Sequence, residues 1–259
     1  MVTNLLLTSA ATASISTAAI APLVANPSSP LDMFVVDQPT GVVYRIDLAT
    51  NTSYRVALQS DQVRPLGVGT ANASFVANGK KVPRGSLVFV LEGARSQGES
   101  LVAFAPGSVK PMPISRLESG LAGASFTGGQ GQAFALQPDG ALWSIEIGSG
   151  TATKMAQLDV RSGLLAYDAE AKSLLVLGAG EVLRVDGASG AVVSKREVGL
   201  PADLQVCGFA VGKRGVLWVS DAASGSVFAL DPESGEARKL APVGDVATHP
   251  CVLTLAFRR

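Results

Sequence analysis

The chain has 259 residues, enough for one domain with a well-buried core. Apolar residues make up 47%, charged residues only 16%, and 28 residues are glycine, a turn-rich globular composition that excludes disordered and collagen-like chains. Lys plus Arg equals Asp plus Glu at 21 each, so the neutral chain has no long-range field to attract phosphate backbones, and nucleic acid is not expected as a partner.

Residues 1–30 admit two readings. The apolar, Ala/Ser/Thr-rich stretch begins at Leu5-Leu6-Leu7, but no Lys or Arg precedes Arg45, and Pro22 follows Ala19-Ile20-Ala21 where a signal peptidase would meet it. The hydroxyl residues also dilute the stretch too much for a membrane span. It is either a weak signal-like segment or a set of strands belonging to the fold.

From residue 20 onward a four-strand grammar recurs about every 40 residues. Residues 20–57 read as IAPLVA, DMFVVD, VVYRID and TSYRVA separated by turns. A longer unit over 66–115 has SLVFVLE and ESLVAFA as its middle strands, with KKVPRG in an inserted loop. Residues 121–158 carry LAGASF, QAFALQ, ALWSIEI and TATKMAQL, and residues 163–198 carry GLLAYD, SLLVLG, VLRVD and AVVSKREV. The clearest unit, Cys207 to Leu240, runs CGFAV, VLWVSD, SVFALD and EARKL. Each strand is short and apolar or alternating, and each turn holds Gly, Pro, Ser or Asp. This is the pattern of β-propeller blades, and period-2 patterning excludes helical solenoids.

First strands fall at 19–25, 66–70, 121–126, 163–168, 207–211 and 251–257. That predicts an all-β, single-domain propeller over residues 1–259 with six blades. The last strand would be completed by residues 3–16, so that N- and C-terminal strands share one blade and no open edge remains. If the N-terminus is a signal instead, five blades closed by the C-terminal strand are expected.

The segment Gly208–Leu230 (GFAVGKRGVLWVSDAASGSVFAL) has a small-apolar first strand, a Gly turn and an L-W-V-x-D second strand, with D-P-x-S-G after the third; Phe34–Asp47 repeats the pattern. In these features the chain resembles NHL-type blades and those of the regucalcin/gluconolactonase and strictosidine synthase-like superfamily. The resemblance implies fold better than activity. The metal-dependent hydrolases of that superfamily hold a divalent ion with Glu, Asn and Asp at the starts of inner strands. Here those places read Ala18-Ala19, Gly123-Ala124, Leu164-Leu165, Cys207-Gly208 and Cys251-Val252, so Cys207 stands where an Asp would bind metal. A hard cation needs six or more oxygens, and no metal or other cofactor is expected.

The inner strands are almost wholly apolar, which fits either a filled core or a central pocket for a nonpolar ligand. Phe126, Cys207, Phe209, Cys251 and Leu255 are the expected lining of such a pocket. His249, before the last inner strand, and Tyr167 are the candidate acid/base groups, although a turn or surface role is the simpler reading of His249. Asp37, Glu92 and Asp221 end second strands and would form a ring of acids at the channel mouth, unless each merely accepts turn amides. Cys207 and Cys251 occupy equivalent places in neighbouring units. Buried free thiols are favoured over a disulfide there, because bridging geometry is strict. Asn51-Thr52-Ser53 and Asn72-Ala73-Ser74 are glycosylation sequons, which matter only in a secreted eukaryotic chain.

The function expected is metal-independent binding or transformation of a small apolar molecule in the central pocket, of the cyclase, lyase or pericyclase type. Its alternatives are a noncatalytic binding or scaffold subunit with a protein partner, and a gluconolactonase-type lactonase or esterase. The compartment stays open between secreted, lumenal and cytoplasmic.

Overall fold

A computed structural model describes residues 31–37, 42–47, 52–56, 65–71, 74–91, 99–105, 112–117, 121, 124–129, 131–201, 203–212, 215–231, 237–239 and 250–257. In chain order the first strands are β1 (Leu31–Asp37), β2 (Val42–Asp47) and β3 (Thr52–Val56). Next come β4 (Pro65–Thr70), the short β5 (Phe75–Ala77) and β6 (Lys80–Val82), then β7 (Leu87–Leu91), β8 (Ser100–Phe104) and β9 (Met112–Arg116). They are followed by β10 (Ser125–Gly129), β11 (Gln132–Leu136), β12 (Ala141–Glu146) and β13 (Ala152–Gln157), and by β14 (Leu164–Asp168), β15 (Ser173–Gly178), β16 (Glu181–Asp186) and β17 (Val192–Glu197). The chain ends with β18 (Val206–Val211), β19 (Leu217–Asp221), β20 (Val227–Leu230), β21 (Ala237–Lys239) and β22 (Pro250–Phe257).

The strands pair as antiparallel meanders, as the alternation of short strands and turns predicts. Three four-stranded sheets are ordered β22-β1-β2-β3, β14-β15-β16-β17 and β18-β19-β20-β21. The remaining large sheet has eight strands, β13-β12-β11-β10-β4-β7-β8-β9. It is two meanders fused through their first strands, which pair in parallel at Phe126 and Gly67. The fusion has a steric cause. A Cβ on Gly67 would overlap the Cβ of Phe126, and one on Gly69 would lie 2.7 Å from the backbone nitrogen of Gly128. Only glycine lets two backbones come that close.

The first strands of the meanders neighbour one another in turn: β22 beside β4, β4 beside β10, β10 beside β14, β14 beside β18, and β18 beside β22. Between the sheets lie apolar clusters, one gathering Phe134, Leu142, Leu165 and Leu174, another Leu175, Phe209, Leu217 and Leu230. A third gathers Met33, Val35, Tyr44 and Trp218. Each sheet therefore buries both faces near the inner strands, which explains why these strands read as continuous apolar runs rather than alternating ones.

Three features differ from the sequence reading. The C-terminal strand β22 pairs antiparallel with β1, from Leu31–Phe257 to Asp37–Pro250, and its expected neighbour, residues 3–16, is not among the described residues. β22 thus takes the inner position assigned to 19–25, and a separate sixth unit for 251–257 does not form among the described residues. Residues 3–16 and 19–25 themselves lie outside the described residues. The inserted loop is partly a hairpin, β5–β6, turning at Asn78-Gly79. That dipeptide is a type I′ signature, and the run flanking it was too short to be recognised. Finally, Cys207 and Cys251 form a disulfide with Cα atoms 4.9 Å apart. Free thiols were expected, but β18 and β22 are direct neighbours and bring the two Cα atoms within bridging range.

Candidate functional site

Each first strand of a meander begins at the same end of the molecule, and three of them begin with a β-bulge. In β4 the register jumps from Pro65 opposite Leu91 to Gly67 opposite Val90, leaving Leu66 as the extra residue. In β18 it jumps from Val206 opposite Asp221 to Gly208 opposite Ser220, leaving Cys207 extra. In β22 the shift leaves out Val252. A bulge bends its strand and re-aims the extra side chain, and such features gather beside sites. Leu66 and Cys207 are re-aimed in this way and line one cavity.

That cavity measures about 330 Å³ and is lined by the starts of β4, β10, β14 and β18 together with the loops before β14 and after β11. Its apolar wall is Leu66, Phe126, Leu136, Leu164, Leu165 and Phe209. The polar groups on it are few. Ser125 Oγ accepts the amide of Leu165 at 3.0 Å, tying β10 to β14 across the cavity wall. Ser162 donates its own amide to the carbonyl of Pro138 at 2.9 Å, so one rim loop fastens the other. Ser162 does this at φ 50°, a left-handed conformation that costs a non-glycine residue about 1 kcal/mol or more. Among the described residues no ionisable side chain lines the cavity.

The expected pocket residues are partly brought together. Phe126, Cys207 and Phe209 line the cavity, with both phenylalanines buried. Cys251 is buried and reaches the site through its bond to Cys207, whose Sγ lies 3.7 Å from Ser220 Oγ. Leu255 lies on β22 opposite Met33, and its side chain is outside the described residues.

Of the two acid/base candidates only Tyr167 is described, and it does not line the cavity. Tyr167 sits near the far end of β14, stacked on Phe134 with ring centroids 5.8 Å apart, and burial with the neighbouring Asp168 charge pushes its hydroxyl pKa up. His249 and Glu92 lie outside the described residues, as do Asn51 and Asn72.

Asp37 and Asp221 end β1 and β19 and are buried. Asp221 takes the turn-bracing role. Its carboxylate accepts the amides of Gln205 at 2.9 Å, Ala223 at 3.3 Å and Ser224 at 2.9 Å, and the Ser224 hydroxyl as well. Burial opposes its ionisation, but these hydrogen bonds outweigh it and hold the carboxyl below the usual range. Asp186 does the same for the β16–β17 turn, with Ser189 and Ala188 as donors.

Among the described residues no group of three or more His, Cys, Asp or Glu is placed to hold a metal ion. Nor does any helix there have the length and apolarity to cross a membrane. The bulges were the signal missed in sequence, because one extra residue at a strand start leaves the apolar pattern unchanged.

Antiparallel meanders set around a common centre, with the cavity at the starts of their first strands, define a β-propeller. The comparisons with solved structures agree. A chain from the crystal structure of a nidogen/laminin complex superposes with a TM-score of 0.57 at 13% identity, covering 87% of this chain and 98% of that one. A structural-genomics protein of unknown function from Bacteroides thetaiotaomicron gives 0.57 at 12% identity, covering 86% of this chain and 61% of that one. At such identities the likeness speaks for the fold alone. No protein-family model and no curated protein matches the chain.

Proposed function

We propose that the chain is a five-bladed propeller, closed into a ring by β22 and clasped there by Cys207–Cys251, whose axial cavity binds a small uncharged apolar molecule without a metal ion. The observation that carries this reading is the lining of the cavity. Its volume of about 330 Å³ falls at the lower end of the range of small-molecule sites, roughly 300–1,000 Å³. With six apolar side chains on its wall and no ionisable group among the described residues that line it, it would desolvate a charged ligand without compensation. Seryl hydroxyls and backbone groups at the rim supply the few orienting hydrogen bonds. The ring reading is supported by the order in which the first strands neighbour one another, returning from β18 to β22 and on to β4. Tyr167 lies off this cavity, so binding and not acid/base chemistry is the role assigned to it. The disulfide fits an oxidising compartment, and hence a secreted or lumenal protein.

A thermal-shift screen with neutral apolar metabolites tests the proposal. A binder should raise the melting temperature of the native chain and fail to do so in Leu66→Trp, where the indole fills the cavity. A library in which only charged compounds bind, or a binder indifferent to Leu66→Trp, would overturn it.

A second reading is a binding or scaffold subunit whose partner is a protein. It is favoured by the likeness to a chain seen in a nidogen/laminin complex. It predicts capture of a specific protein by the native chain that Leu66→Trp leaves unchanged.

A further inference from the structure

A larger cleft, of about 540 Å³, opens between the β14–β17 sheet and the β18–β21 sheet, lined chiefly by middle and outer strands. We propose that it is a separate binding site for a small monocarboxylate with an apolar body. Its floor is apolar, made by Leu175, Val182 and Leu217, all buried. Register places the polar groups above that floor. Leu175 pairs with Arg184, Arg184 with Ser194, and Val182 with Arg196. Paired residues share a sheet face, so both guanidinium groups and the Ser194 hydroxyl stand on the side that carries Leu175 and Val182.

The two arginines differ in what they have left to give. Arg184 Nη1 donates to Asp168 Oδ2 at 3.2 Å and to Ser173 Oγ at 2.6 Å, while Asp168 Oδ1 accepts the amides of Glu170 and Ala171 at 3.0 Å each. Glu170, the other carboxylate of the lining, makes an interaction of its own. Arg196 is exposed on the edge strand β17 and has no hydrogen-bond or ion-pair partner among the described residues. Its planar fork of N–H donors matches one carboxylate bidentately. Ser194, two residues before it on the same strand, adds a hydroxyl on the same face.

Charge sets the class of ligand. One uncommitted guanidinium balances one negative charge, whereas Asp168 and Glu170 in the same lining repel a phosphate dianion. The apolar floor then takes the body of the molecule, as Leu175, Val182 and Leu217 offer no partner to a second polar group.

The test uses hexanoate as probe and 1-hexanol as its uncharged counterpart, titrated into the isotope-labelled native chain with the backbone amides followed by NMR. Hexanoate should perturb the amides of Ser194, Arg196 and Leu217 and bind at least about tenfold more tightly than 1-hexanol, the value of one charge-assisted contact. Arg196→Gln, on an exposed edge position that the fold tolerates, should weaken hexanoate about tenfold and leave 1-hexanol unchanged. Glu170→Gln should tighten hexanoate. Equal affinity for the acid and the alcohol, no perturbation of these amides, or unaltered binding by Arg196→Gln would each overturn the proposal.

Discussion

Between β4 and β10 two inner strands approach so closely that their sheets merge into one, and the junction contains Gly67, Gly69 and Gly128 where side chains would stand. Between β18 and β22 the inner strands carry side chains, the sheets stay separate, and a disulfide joins them. The β10–β14 junction is intermediate, held by the Ser125 hydroxyl accepting the Leu165 amide. The difference teaches that neighbouring sheets around one axis can be joined by backbone, by hydroxyl or by covalent bond, according to the side-chain bulk at the strand starts. The covalent junction holds β22, the strand that also pairs with β1, against β18.

Breaking the covalent junction should have the largest effect. The bond closes a segment of 44 residues, and the chain-entropy model assigns such a loop about 4 kcal/mol. Replacing both cysteines with alanine should lower the urea midpoint accordingly, with native far-UV circular dichroism retained in dilute buffer. An unchanged midpoint would place the seam's strength elsewhere. Breaking the backbone junction comes next. Gly67→Ala inserts a Cβ onto that of Phe126, and overpacking between two backbones should cost about 3 kcal/mol, read by the same denaturation.

A smaller effect sharpens the comparison on the β18 side. Asp221 braces the residues entering β18 by accepting the Gln205 amide, so Asp221→Asn should cost about 1–2 kcal/mol at neutral pH. Its folded carboxyl lies below the ordinary aspartate value, so the stabilisation is complete above that ordinary value, near about pH 4, and is lost as pH falls through the folded value. Native and Asp221→Asn stabilities should therefore converge in acid. Parallel curves down to the lowest pH would mean that the charge contributes nothing.

The smallest effect concerns Trp218 in the apolar cluster with Met33, Val35 and Tyr44. Its indole Nε1 is buried without a hydrogen-bond partner among the described residues. Trp218→Phe removes that unsatisfied donor along with some apolar contact, and the two should nearly cancel, leaving stability within about 0.5 kcal/mol of native.

Much of the fold was legible because strand and turn chemistry are local. The units over 121–158 and 163–198 correspond to β10–β13 and β14–β17, since Pro138-Asp139-Gly140 and the Gly-rich turns mark the strand ends unmistakably. What sequence could not settle is which strand fills the inner place of the N-terminal sheet, because IAPLVA and CVLTLAF are equally good apolar strands and pairing between chain ends has no local signature. The site was legible in part for the same reason. Phe126 and Phe209 belong to apolar inner strands, so their place on the axis follows from pattern. The turning of Leu66 and Cys207 into the cavity depends on bulges, and the distance between Tyr167 and the cavity depends on where along β14 the channel ends. The disulfide was underestimated because equivalent places in neighbouring units do not fix the distance between two Cα atoms, and here they stand 4.9 Å apart.

Peptide mapping of the unreduced protein by mass spectrometry tests the seam most directly. Monomeric chain refolded in a glutathione redox buffer should yield a cross-linked peptide pair containing Cys207 and Cys251 and no free thiol. Two alkylatable thiols, or a Cys207–Cys251 link found only between chains, would contradict the placement of β22 beside β18.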